Sequence, residues 1–208
     1  IDGQMRKGIV STNKNAWAYL LDRKTGKPLL DIVETEVPQE ARQLTAATQP
    51  IPVGDAMAPQ EVLIPPQGFQ LVNNGRMYTP FWTEGIMLAP GPSGATNWPP
   101  SSYDPRSGAL YVCLTDRAGV FTAEELSPGM PEPERAGKRY TGGPFGNTPL
   151  PPTGIFAALD IHTNRLIWQQ AWPDRCYSGS INTAGNLLFV GRNDGRLTAM
   201  DPDNGNLL

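Results

Sequence analysis

One histidine and two cysteines are the only imidazole and thiol ligands in this 208-residue sequence. Cys113 and Cys176 fall in different elements with no C-x-x-C spacing, which argues against a zinc site built by the protein. Each cysteine reads as a small buried hydrophobe rather than as a disulfide partner. No stretch approaches eighteen apolar residues, so no membrane-spanning helix is expected. Nor is there a run of five like charges. With a net charge of −3 and a pI near 5.2, the electrostatic footprint of a nucleic-acid binder is missing, and no nucleic-acid partner is expected.

What the sequence does have is punctuation. Glycine and proline number 22 each, which suits many short strands and turns. The clearest pattern is Gly154 to Trp168, an apolar strand, a tight polar turn and a second strand ending in tryptophan. Its turn, Asp160 to Asn164, is echoed as Asp22 to Gly26, Asp104 to Gly108 and Asp201 to Gly205. An Asp side chain accepts backbone N–H groups two or three residues on, while Gly or Asn supplies the positive φ that closes such a turn. The four aspartates are spaced by 82, 56 and 41 residues. The shortest spacing matches one propeller blade of about 40 to 45 residues, the next a blade with an insertion, and the longest about two blades or one with a long excursion.

Strands are predicted at 8–12 and 16–21 around the turn Asn13-Lys14-Asn15, at 109–114, and at 186–191 and 196–200 around an Asp-Gly hairpin. Two proline-rich stretches, about 33–68 and 122–153, cannot be long helices or central strands and read as excursions from blade ends. A single helical turn is expected at Thr122 to Leu126. His162 reads as an exposed turn residue.

These residues resemble the C-terminal half of a pyrroloquinoline quinone (PQQ) dependent dehydrogenase, a quinoprotein of the eight-bladed propeller family. The phrase Ala-x-Asp-x-x-Thr-Gly-x-x-x-Trp is that family's blade-locking repeat. It stands here as Ala158, Asp160, Thr163, Asn164 and Trp168, with Asn in place of Gly. In the first copy Leu20 and Leu30 replace its Ala and Trp. The implied fold is all-β, a partial propeller of four-stranded antiparallel blades docked by tryptophans. Residues 1–208 would form one such domain of roughly four blades.

The resemblance also implies a site. Asn13 to Gly26 is similar to the segment whose lysine reaches the quinone oxygens, which makes Lys14 the expected catalytic and cofactor-binding cation. Gly94 to Pro105 resembles the Gly-Gly-x-Asn-Trp motif, with Ala95 for the second glycine, and assigns Asn97 and Trp98 to the cofactor. Ser178 to Gly191 resembles a further segment beside the quinone. There Gly179 either admits the cofactor to the backbone or only shapes the start of a strand. Residues 33–39 and 48–52 are similar to a loop of the glucose-oxidising branch, which points to a sugar or polyol.

The activity implied is oxidation of an alcohol, polyol or sugar, with cytochrome c or ubiquinone as acceptor, in the periplasm. No metal ligand is assigned: the family's calcium ligands and catalytic aspartate fall N-terminal to the matched region. The chain is therefore expected to be a fragment, inactive without the remaining propeller half. The competing expectation is a non-catalytic propeller scaffold like the family's outer-membrane assembly relatives, which lack the counterparts of Lys14 and Asn97-Trp98.

Overall fold

The structure, a computed structural model, describes residues 1, 3–124 and 142–208. In chain order the strands are β1 (Gly8–Thr12), β2 (Ala18–Asp22), β3 (Ile32–Glu36), β4 (Thr48–Pro52), β5 (Ile86–Leu88), β6 (Ser102–Asp104) and β7 (Ala109–Asp116). They continue as β8 (Gly119–Phe121), β9 (Phe145–Asn147), β10 (Thr153–Asp160), β11 (Arg165–Trp172), β12 (Ser180–Asn182), β13 (Leu188–Gly191) and β14 (Leu197–Met200). All pairings between them are antiparallel. The fold is all-β, a partial propeller. Among the described residues the one helical piece is a 3-10 turn at Asn73–Gly75.

The centre is the four-stranded sheet β6-β7-β10-β11. Its middle strands are apolar without alternation because both faces are buried. Leu110, Val112, Leu114, Ile155, Ala157 and Leu159 pack toward Ala16, Ala18, Leu20 and Met57 on the β1-β2 side. Tyr111, Cys113, Phe156 and Ala158 face Leu188, Val190 and Met200 of the sheet β12-β13-β14. Each fully buried side chain of this size contributes about 1.5–3 kcal/mol, so the three sheets are held face to face by apolar burial.

The turns have the expected chemistry. Asp22 Oδ1 accepts the N–H groups of Lys24 and Thr25 and the Thr25 hydroxyl at 2.9–3.0 Å, and Gly26 closes the turn at φ 70°. Asp160 accepts the N–H of His162 and the Thr163 hydroxyl, each at 2.8 Å, and Asn164 closes at φ 56°. Trp168 docks on the next sheet's turn: its Nε1 donates to Pro202 O at 2.8 Å, and a Cβ at Gly205 would lie 2.9 Å from the indole. His162 is half exposed, beside Asp160.

Three expectations are corrected. The Asp104 turn joins β6 to β7 and the Asp160 turn joins β10 to β11, so the two aspartates belong to one sheet and their spacing is not a blade repeat. Both turns lie at the same end of the meander, where the Ile161 N–H donates to Gly108 O at 3.0 Å. Second, Cys113 and Cys176 form a disulfide across 63 residues. The pairing of β7, β10 and β11 brings β7 under the loop after β11, and Gly154 lets that loop close: a Cβ there would lie 2.4 Å from the Cys176 nitrogen. Third, Thr122 to Glu124 is not helical. The Thr122 N–H donates to Pro144 O and the Ala123 N–H to Trp82 O, which carries the backbone across to other loops, while Glu125 and Leu126 lie outside the described residues.

The proline-rich stretch 33–68 holds the two-stranded sheet β3-β4, with Pro50 and Pro52 in β4 where no further strand needs their missing donors. The second stretch contributes β9 to the small sheet β5-β8-β9.

Candidate functional site

In an antiparallel meander successive turns fall at opposite ends. The β1-β2 turn carrying Lys14, the loop 89–101 before β6, the β7-to-β10 excursion and the loop after β11 carrying Gly179 all share the end opposite the Asp turns.

Lys14 is fixed from three directions. Its carbonyl accepts the Ala95 N–H at 2.9 Å, and Ala95 O in turn accepts the Thr115 N–H at 2.8 Å, which ties the turn to the end of β7. Its aliphatic stem covers Gly94, which is buried at φ 75°. Its Nζ reaches Pro92 O at 3.4 Å, the one partner it has among the described residues. The next turn residue, Asn15, is anchored from below. Asn15 Nδ2 donates to Tyr78 Oη at 2.7 Å and Tyr19 Oη at 3.0 Å, while Gln60 Nε2 donates to Asn15 O at 2.8 Å. Burial raises the Tyr19 phenol above its ordinary pKa, the Asn15 hydrogen bond opposes that, and Tyr19 remains a neutral donor to Pro50 O at 2.9 Å.

Asn97 sits on the same short loop as the groups that hold Lys14. Its Nδ2 donates to Ser93 O at 2.8 Å. Trp98 follows with its indole 85% exposed. Gly179 lies against Pro100, where a Cβ would come within 3.0 Å of the ring, and so joins the group through that proline. The loop Pro92 to Pro100 thus collects all four sequence-predicted residues at one end of the sheets. Gly94 is the first glycine of the motif read from the sequence, whereas nothing in the sequence pattern marks Tyr78 or Gln60 as supports of the Lys14 turn. Tyr78 adopts φ 66°, a strained value for a bulky residue, which sequence alone does not show.

Lys14 opens onto a cleft of about 400 Å³ lined also by Thr45, Gln49, Tyr78, Phe81, Pro92 and Phe121. It is the one charged side chain of that lining. A larger hollow of about 600 Å³ lies at the opposite end, among Met5, Tyr103 and His162, and holds none of the four predicted residues.

Residues 1–176 match the family "Glucose/ethanol/alcohol dehydrogenase, beta-propeller domain". The whole chain is 28% identical to quinohemoprotein alcohol dehydrogenase ADH IIB of Pseudomonas putida, covering 27% of that protein. It is 26% identical to the glycerol dehydrogenase large subunit of Gluconobacter thailandicus, covering 37% of it. The solved quinohemoprotein alcohol dehydrogenase of Comamonas testosteroni superposes on all of this chain and 28% of its own length, with a TM-score of 0.63 and 24% identity. The chain spans between 27% and 37% of the length of these relatives.

Proposed function

The chain belongs to the PQQ-dependent glucose/ethanol/alcohol dehydrogenase family of β-propellers, and on that premise we propose that the full-length protein oxidises an alcohol, polyol or sugar by hydride transfer to PQQ. When bound, the quinone accepts the hydride.

The residues present fit such a group. Lys14 Nζ has no carboxylate partner among the described residues, so its charge is available to anionic oxygens. The Asn97 amide spends one N–H on Ser93 O, and its oxygen has no partner among the described residues. The exposed indole of Trp98 offers a flat face to a planar ring.

The observation that carries the reading is the attachment of Lys14 and Asn97 to one loop, Pro92 to Asn97. Held there, the Lys14 ammonium would stabilise negative charge on the quinone oxygens, Asn97 and Trp98 would orient the ring, and Gly179 would shape the approach.

We place the base that takes the substrate's hydroxyl proton, any calcium ligands and the path to a cytochrome c or quinone acceptor in the rest of the protein, so this stretch alone is inactive. It forms a continuous part of one propeller, in which the sheet β6-β7-β10-β11 packs between β1-β2 and β12-β13-β14. The Cys113–Cys176 disulfide supports an oxidising compartment such as the periplasm, which cell fractionation checks.

The test is dye-linked oxidation by the full-length protein loaded with PQQ and calcium. Lys14→Ala should lower kcat about 10²–10³-fold, with Lys14→Arg retaining part of the rate, and Asn97→Ala should weaken PQQ binding in a fluorescence titration. An unloaded or inactive wild-type protein overturns the reading and favours a scaffold.

A further inference from the structure

Tyr78 holds a backbone angle that its side chain disfavours. Between Asn73 and Thr79 four residues have positive φ: Asn73 at 47°, Asn74 at 56°, Gly75 at 64° and Tyr78 at 66°. Asparagine and glycine tolerate this region, whereas a bulky aromatic residue enters it only where its surroundings hold it there. Strain of this kind collects at ligand clamps and active sites, where it fixes a side chain in position.

The contacts that hold it lie on both sides. The Met77 N–H donates to Gln60 O at 2.7 Å, and the Thr79 N–H donates to Arg76 O at 3.1 Å. Gln60 reaches the Lys14 turn as well: its Nε2 donates to Asn15 O at 2.8 Å, and its Oε1 accepts the Trp17 indole N–H at 3.2 Å. One glutamine thus ties the Tyr78 segment to the turn that carries Lys14.

Asn15 sets the phenol. Its Oδ1 accepts the Trp17 backbone N–H at 3.2 Å, which leaves Nδ2 to face the two tyrosines, giving hydrogens to Tyr78 Oη at 2.7 Å and Tyr19 Oη at 3.0 Å. Tyr19 passes its own hydrogen to Pro50 O at 2.9 Å. Tyr78 Oη is an acceptor toward Asn15 and keeps its own O–H to give.

Three hydroxyl side chains line the cleft beside Lys14, those of Thr45, Tyr78 and Thr79. Thr45 Oγ1 donates to Gln39 Oε1 at 2.9 Å, and Thr79 Oγ1 is buried within the wall. Tyr78 is only partly buried, so its hydroxyl is the one from which a ligand beside Lys14 can take a hydrogen bond.

Resting on the dehydrogenase reading above, we propose that Tyr78 donates a hydrogen bond to the oxygen-bearing edge of PQQ that Lys14 attracts. The strained backbone and the Asn15 amide fix the phenol oxygen before the cofactor arrives, so little ordering is left for binding to impose.

The test is a fluorescence titration of PQQ into the full-length protein, with the absorption spectrum of the bound cofactor recorded alongside. Tyr78→Phe keeps the ring and should weaken binding about tenfold while shifting the absorption maximum of the bound cofactor. A role confined to steadying Asn15, and through it Lys14, is separated by a double-variant cycle. In a Lys14→Ala background Tyr78→Phe should still weaken binding at least fivefold, because the phenol touches the cofactor itself.

Equal affinity in wild type and Tyr78→Phe, or a loss that vanishes in the Lys14→Ala background, would overturn the proposal and leave the dehydrogenase reading standing. A wild-type protein that binds no PQQ would remove both.

Discussion

The Lys14 side chain lies directly over the α-carbon of Gly94. A Cβ built there would stand 2.4 Å from Lys14 Cγ, 2.5 Å from its Cβ and 2.8 Å from its Cα, on a backbone already at φ 75°. A rotamer change could move Cγ, but not Cα. Gly94 is therefore the residue that lets the Lys14 turn and the Asn97 loop share one position.

Gly94→Ala should displace Lys14 and weaken PQQ binding at least tenfold in a fluorescence titration of the full-length protein. Gly26→Ala is the matched control. It carries a similar φ of 70° with nothing within 4 Å of the new methyl group, at the end of the sheet away from Lys14. It should lower Tm by the strain of a left-handed alanine, about 1–2 kcal/mol, and leave PQQ affinity as it was. Equal affinities in the two variants would sink the assignment of Lys14.

Asn164 bears on how the sheets join. It is fully buried, and its Nδ2 donates to Ala18 O at 3.3 Å and to Val53 O at 3.1 Å, while its backbone carbonyl accepts the Asp55 N–H at 2.9 Å. Asn164→Gly keeps the positive φ but drops both side-chain bonds, for an expected loss of about 1–3 kcal/mol. Asn164→Asp should cost more, because a buried carboxylate would face two carbonyl oxygens with no donor between them. Thermal unfolding of the three proteins should rank wild type above glycine above aspartate.

Asn164 also shows what the sequence made legible. The family repeat has glycine at this place, and positive φ explained why asparagine could substitute. It could not reveal that the amide bridges to Ala18 and Val53, more than a hundred residues away. The strands were readable where the pattern was local: β1 falls at the predicted residues, and the double-sided burial of β7 and β10 is written in their unbroken apolar runs. The Asp104 turn misled because its local chemistry equals that of Asp160, and only strand pairing tells a first hairpin from a last. The cysteines misled for the same reason. Their neighbours in sequence say nothing of the loop that Gly154 admits.

Acid should loosen the contact between the central sheet and its β12-β13-β14 neighbour. The Arg106 guanidinium at 2.8 Å holds the Asp104 carboxyl below its ordinary pKa, and that same guanidinium donates to Ala184 O at 3.0 Å and Thr183 O at 3.3 Å across the gap. Asp22 is also lowered, chiefly by the Thr25 N–H. A depressed folded pKa contributes stability that is complete above the unfolded value near 3.9 and is lost as pH falls through it toward the folded value. Tm should thus be flat at neutral pH and fall below about pH 4, more shallowly in Asp104→Asn. An identical acid slope in that variant would remove Asp104 from the account.

The disulfide should resist reduction in the folded state and matter most to the unfolded one. Cys113 is 8% exposed and Cys176 1%, so an attacking thiolate has no approach to either sulfur until the loop opens. Cross-linking across 63 residues restricts the unfolded chain by about 4 kcal/mol in the loop-entropy account, an upper figure for this site. Incubation with dithiothreitol at neutral pH should leave both cysteines unalkylated on mass analysis, whereas the same treatment in denaturant should label both. The Cys113→Ser, Cys176→Ser double variant should unfold at a lower temperature in oxidising buffer and match the wild type once that protein has been reduced in denaturant and refolded with its thiols free. Rapid labelling of the native protein would show instead that the loop over Gly154 opens readily.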